Sequence, residues 1–127
     1  MPEKHLFEYA VIRIVPRVER EEFINAGVVL YCAKQRFLQM LFEIKAERLL
    51  SFYPAVDLNA VTQRLQAFEY ICDGSALGGP IGKLPPASRF RWLTAARSTI
   101  VQTSPVHPGL CVHAEETLAR LYIQLVC

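Results

Sequence analysis

The densest polar constellation in the chain is Arg17-x-x-Arg20-x-Glu22-x-x-Asn25-x-Gly27. Two guanidiniums at this spacing offer planar forks to a phosphate or a carboxylate. Asn25 brings a donor and an acceptor that could orient such a ligand, and backbone amides near Gly27 could add to the cradle. A structural use of the same residues is the stronger expectation: Arg20 or Arg13 pairs with Glu22, and Asn25 satisfies backbone groups before the glycine. Arg13 belongs to this group because it interrupts a segment that is apolar on both faces. A charge there needs a partner or a path to water.

A second cationic feature lies in the distribution of charge. From Gly74 to Ala114 there is no Asp or Glu, while Lys83, Arg89, Arg91 and Arg97 fall inside the stretch. Its local balance is +4 against −2 for the rest of the chain. Arg89-Phe90-Arg91-Trp92 interleaves cations with aromatics, a composition suited to stacking on bases and touching phosphates. A solvated basic face is the competing expectation. The total charge of +2 is too mild to announce a nucleic-acid binder by itself.

Other chemistry is thinly represented. Gly78-Gly79-Pro80-Ile81-Gly82-Lys83 brushes against a phosphate-binding loop. Leu77 stands where the first glycine belongs, Leu84 replaces the hydroxyl residue, and Pro85-Pro86 blocks the helix that should follow. Cys32, Cys72, Cys111 and Cys127 are far apart with no C-x-x-C pair; Cys32 and Cys72 read as small buried hydrophobes, and the thiols fit a reducing compartment. Cys111, His113 and His107 lack the fourth ligand and regular spacing of a metal site, and Glu22 with Glu43 has no spacing that favours one. No histidine sits beside a Ser, Cys or acid in a catalytic pattern. The expectation is no metal, no cofactor and no catalytic set.

These residues must be positioned by secondary structure. Phe7–Val15 is β-branched and nearly apolar, a central strand with Tyr9, Val11, Arg13 and Val15 on one side and Ala10, Ile12 and Ile14 on the other. Pro16 ends it, a charged connection runs through 17–23, and Asn25-Ala26-Gly27 marks a turn or bulge. Gly27–Cys32 and Arg36–Glu43 are two more strands joined by a hairpin loop. A short helix over about 45–53 stops at Pro54. Asp57 caps a helix over about 58–72, with Leu58, Val61, Leu65, Phe68 and Cys72 on one face and Gly74 past its end. The Gly/Pro-rich stretch 74–87 is a long loop. Ser88 caps a third helix over about 89–96. Residues 100–103 form a fourth strand, 104–109 a turn-rich connection, and about 115–126 a closing helix.

The result is one α+β domain of 127 residues, an antiparallel three- to four-stranded meander sheet packed by about four helices. With 52% hydrophobic and 20% charged residues the composition is that of a folded chain. The N-terminus lacks signal-peptide architecture and no apolar run reaches membrane-spanning length, so the expectation is cytoplasmic and not membrane-bound.

Through Tyr9–Pro16 and then Arg20-x-Glu22-Phe23-Ile24-Asn25-Ala26-Gly27-Val28-Val29-Leu30, with a closing Leu-rich helix, the chain resembles the bacterial family catalogued as domain of unknown function 3037. Glu21 stands where the resemblance implies a glycine. The family carries no assigned activity and transfers no catalytic residues. The resemblance implies a kinase-like protein of toxin–antitoxin type as a candidate partner. Two main functional expectations follow. One is a binding or regulatory domain that holds an acidic protein or nucleic acid through Arg13, Arg17, Arg20, Glu22, Asn25, Lys83, Arg89, Arg91 and Arg97. The other is an enzyme whose Arg13, Arg17, Arg20, Glu22 and Asn25 clamp a phosphate- or carboxylate-bearing substrate. A homodimer through exposed apolar residues near Cys127 or a strand edge is the third.

Overall fold

The computed structural model describes residues 2–17 and 22–127, Arg17 by its backbone alone. Its organising element is β1 (His5–Arg17), whose alternating side chains are apolar toward both sides of the sheet. Such a strand is stable only when helices cover both faces. Ala10, Ile12 and Ile14 enter one core, Phe7 and Tyr9 a second one on the opposite face.

β2 (Glu22–Cys32) pairs antiparallel with β1, and β3 (Phe37–Phe42) antiparallel with β2. Along the other side of β1, two short strands share one place. β4 (Val101–Thr103) pairs with Ile12–Ile14, and β5 (His107–Cys111) pairs with His5–Tyr9. Ser104 spans the gap between them. Its backbone N–H donates to the Val11 carbonyl at 2.8 Å, and its side-chain Oγ accepts from the Val11 N–H at 2.9 Å. A buried backbone donor is thereby satisfied where Pro105 interrupts the ladder.

The first core is roofed by α1 (Ala46–Phe52), α2 (Leu58–Asp73) and α4 (Pro86–Thr94), which contribute Leu49, Leu65, Phe68, Phe90 and Leu93. Between α2 and α4 lie a 3-10 turn, Ala76–Gly78, and the single-turn α3 (Gly79–Gly82). The second core is closed by α5 (Ala114–Leu125), whose Ala114, Leu118 and Leu121 pack on Val28, Leu30 and Cys32 of β2. Gln35, in the β2–β3 turn, clamps the start of α5. Its amide nitrogen donates to the Val112 carbonyl, and its oxygen accepts from the Ala114 N–H at 2.8 Å. None of the described helices is long and apolar enough to cross a membrane.

The class is α+β with an antiparallel meander, as the sequence implies. The differences are local. The sheet has five strands because 107–111, whose residues 107–109 are expected in a turn-rich connection over 104–109, is a strand. Its Pro108 is tolerated because, among the described residues, β5 pairs with β1 alone and so lies at a sheet edge. The expected connection 17–23 is shorter, since β1 continues to Arg17 and β2 begins at Glu22. The rest of that connection, with Arg20 and the Glu21 departure, lies outside the described residues. Ser88 does not cap the third helix. Pro85 and Pro86 start it three residues earlier, since proline's missing N–H costs nothing in a first turn. The long loop is partly helical at 76–82. Asp57 and Gly74 do cap α2: the Asp57 side chain accepts from Ala60 N–H at 3.1 Å, and Gly74 adopts the left-handed conformation at φ 68°.

Gly27 fixes how closely β2 approaches the end of β3. A Cβ at this position would lie 2.5 Å from the Leu41 carbonyl oxygen and 2.8 Å from the Phe42 Cβ. Backbone cannot yield cheaply at such distances. Gly27→Ala is therefore expected to lower unfolding free energy by about 1–3 kcal/mol, measured by urea denaturation.

Candidate binding site

Asn25-Ala26-Gly27 is a bulge, not a turn. Ile12 pairs with Gly27, but the next residue, Arg13, pairs with Asn25, leaving Ala26 as the extra residue of β2. Ala26 turns into the first core. The alternation of β2 is reset by one, and directly opposed residues share a face, so Arg13, Asn25 and Phe23 all fall on the α5 side.

Three contacts define the group. The Asn25 Nδ2 donates to the Leu125 carbonyl, 3.0 Å away, at the end of α5. This satisfies one of the carbonyls that a helix C-terminus leaves open. The Arg13 guanidinium carbon lies 4.0 Å from the centre of the Phe23 ring. The Arg13 Nε and the Asn25 Oδ1 are both buried without a hydrogen-bond partner. An unused donor and an unused acceptor thus occupy directly opposed positions. The cation lies against an aromatic face. Phe23 itself is 43% exposed, so the ring presents an outward edge.

The neighbouring rim carries Tyr122 and Glu43. The Tyr122 hydroxyl donates to Glu43 Oε2 at 3.4 Å. Burial, with Glu43 next, raises the Tyr122 hydroxyl above its ordinary value. Glu43 is anchored through its own N–H, which donates to the Ala26 carbonyl at 2.9 Å, so the bulge also sets this pair.

The expected residues of the first constellation are therefore partly gathered. Arg13 and Asn25 meet across the bulge. Arg17 has its backbone opposite Glu22. Glu22 is exposed and engaged with a neighbour. Arg20 lies outside the described residues. Phe23, which the sequence reading left out, is the aromatic partner. The signal for it was available, since a bulge at Ala26 necessarily puts residues 23 and 25 on the Arg13 face.

The basic stretch does not assemble into one patch. Arg89 turns inward, its Nη1 donating to the carbonyls of Ile71 at 3.2 Å and Cys72 at 2.9 Å. Arg97 donates through Nη2 to the Trp92 carbonyl and lies over the rings of Trp92 and Phe68, 4.5 and 4.9 Å from their centres. Each arginine thus neutralises the negative end of a helix, Arg89 for α2 and Arg97 for α4. Lys83 and Arg91 are exposed. Among the described residues no group of three His, Cys, Asp or Glu side chains could hold a metal ion. Cys32, Cys72 and Cys111 are buried and Cys127 is exposed.

The fold and site define an α+β protein with an arginine–aromatic–amide group at one end of its sheet. Residues 9–126 match the model of the family described as protein of unknown function (DUF3037), and the chain belongs to that family. No curated protein and no solved structure matches it.

Two predictions follow from the arginine and cysteine at the end of α2. Arg89→Met keeps the aliphatic stem but leaves the Ile71 and Cys72 carbonyls without their donor. It should cost about 1–3 kcal/mol of stability in chemical denaturation. Burial, then the adjacent Asp73, pushes the Cys72 thiol up to about 12, with Arg89 pulling partly the other way. An unfolded thiol ionises near about 8.5. The contribution is thus intact below that pH and is lost as pH rises toward the folded value. The Tm should fall on the alkaline side, and Cys72→Ala should fall less steeply over the same range, measured by thermal denaturation at stepped pH.

Proposed function

We propose that this chain is a binding domain whose Arg13–Phe23–Asn25 group docks an acidic segment of a partner protein. The observation that carries this reading is the Arg13 guanidinium, which stands over an exposed phenylalanine with its Nε unsatisfied. A carboxylate arriving from the partner would meet the guanidinium's positive charge while the partner's apolar surface covers the ring. Arginine and aromatic side chains together are the usual energetic centres of protein interfaces.

The acidic-protein reading is favoured over nucleic acid by where the other cations go. A nucleic-acid groove needs a run of available cations along a backbone. Here Arg89 and Arg97 hold helix termini, and Lys83 and Arg91 belong to the helical side of the sheet opposite α5. The enzymatic reading has less support. Among the described residues no hydrogen bond joins a Ser, Thr or Cys side chain to a His or carboxylate side chain. The kinase-like partner implied by the family resemblance is one protein to which such a segment could belong.

The test is an NMR titration of the isotope-labelled chain with a glutamate-rich peptide, and separately with single-stranded DNA and RNA, at low and high salt. The peptide should shift the Arg13 side-chain Nε–H and the Phe23 and Asn25 amides, with binding weakened by salt. Arg13→Gln, checked for native fold by its amide spectrum, should weaken it by about 10-fold. Shifts induced by nucleic acid alone, centred on Lys83 and Arg91, would replace this reading with the nucleic-acid one. No shift at Arg13 with any probe would remove it.

A further inference from the structure

A cleft of about 390 Å³ opens between α2 and the segment that follows α4, lined by Arg64, Ala67, Phe68, Trp92, Ala95 and Arg97, with Thr99 at its edge. This is within the ~300–1,000 Å³ typical of small-molecule sites. Its walls are mostly apolar, and it lies on the face of the sheet opposite α5, away from Arg13. Two guanidiniums border it, and no carboxylate is among its lining residues.

We propose that this cleft binds a small amphiphilic carboxylate, with its apolar body against Phe68 and Trp92 and its carboxylate on Arg97 and Arg64. The aromatic walls are set by packing: Phe68 is buried in the first core and meets Trp92 edge-on, with ring centres 6.0 Å apart. Arg97 is held at the mouth by the Trp92 carbonyl and by both rings. That anchoring engages Nη2 of the guanidinium. The guanidinium is orientated before any ligand arrives, which reduces the entropy lost on binding. It is also partly desolvated, and burial lowers its pKa from the ordinary arginine value. A partly desolvated cation gains more from an anion than a solvated one does. Arg64 is exposed on α2, one helical turn before Phe68, and adds a second charge on the same side. The planar fork of arginine matches a carboxylate, and the apolar walls select against a bare inorganic anion.

Trp92 is the one tryptophan of the chain, so intrinsic fluorescence reports directly on the cleft. The wild-type protein would be titrated with octanoate, octyl phosphate, 1-octanol, octylamine and acetate. Octanoate should change Trp92 emission saturably. 1-Octanol, octylamine and acetate should bind at least ~10-fold more weakly, and Arg64→Gln should weaken octanoate by about 5-fold. Arg97→Lys keeps the charge but loses the fork, and should also weaken octanoate. Lys83→Gln, remote from the cleft, should bind like wild type. Octyl phosphate binding better than octanoate would overturn the carboxylate assignment. Equal binding of octanol or octylamine, or no saturable response to octanoate, would overturn the proposal outright. Because Arg13 is on the other face, octanoate binding that survives Arg13→Gln separates this site from the docking site.

Discussion

The extra residue at Ala26 is the constraint on which the polar architecture rests. A strand presents its side chains alternately to the two faces, and here both faces are buried by helices. Continued without a bulge, the register of β2 would send Asn25 into the core beneath α1 and α2, among Ile14, Leu49 and their neighbours. An amide there would lose its hydrogen bonds to water with nothing to replace them. One inserted alanine avoids this. The small residue faces the crowded core, and Asn25 turns toward α5, where the Leu125 carbonyl accepts its N–H. The same step brings Phe23 beneath Arg13. This bulge, the first of two register shifts between β1 and β2, thus sets which helix the Asn25 amide meets. Gly27 belongs to the same device, because the bulged strand must pass close to the Leu41 carbonyl.

Charge counted along a sequence and charge available on a surface are different quantities, and the segment 74–114 separates them. Its excess of cations without acids suggests a recognition face. Two of the four, Arg89 and Arg97, instead answer the open carbonyls at the ends of α2 and α4. Neither helix has a basic residue of its own placed to do that at its last residues, apart from Arg91 on α4. The compensation comes from elsewhere in the chain: α4 supplies the arginine for α2, and the following segment supplies the arginine for α4.

Much of this was legible from the residues. The two-faced apolar pattern of β1, the capping pair Asp57 and Gly74 around α2, and the hairpin of β2 and β3 each rest on local rules that tertiary context did not override. The bulge that sets Asn25 opposite Arg13 is signalled by Asn25-Ala26-Gly27, a run that suits a turn equally well. What stayed hidden depends on partners distant in sequence. β5 contains Pro108 and Gly109 and has the composition of a turn. It is a strand because β1 offers an unpaired edge there, and because Gly109 leaves room for the Phe7 ring, whose nearest atom is 2.5 Å from where a Cβ would be. The capping roles of Arg89 and Arg97 depend likewise on where helix ends come to rest, which no local pattern records. Phe23 was missed for a different reason, since its role follows only once the bulge is assigned.

The two arginines that remain chemically interesting lie in different layers, and this separation has a physical consequence. Arg13 stands on the α5 side and Arg97 on the α2 and α4 side, with the sheet between them. Both lie against aromatic faces. Cation–π contact orients a guanidinium without consuming its hydrogen-bond donors or cancelling its charge, whereas an ion pair does both. An arginine fixed by a ring is therefore ready for an anion from outside, and one fixed by a carboxylate is not. The surroundings then divide the two. Phe23 offers an exposed edge with no enclosing walls, which suits the flat contact of another protein. Phe68 and Trp92 enclose a cleft, which suits a small molecule. Sites that share no side chains and lie in different layers should respond to substitution nearly independently. The same arrangement thus occurs twice in this fold, once beside an exposed ring and once at a cleft, with the sheet between them.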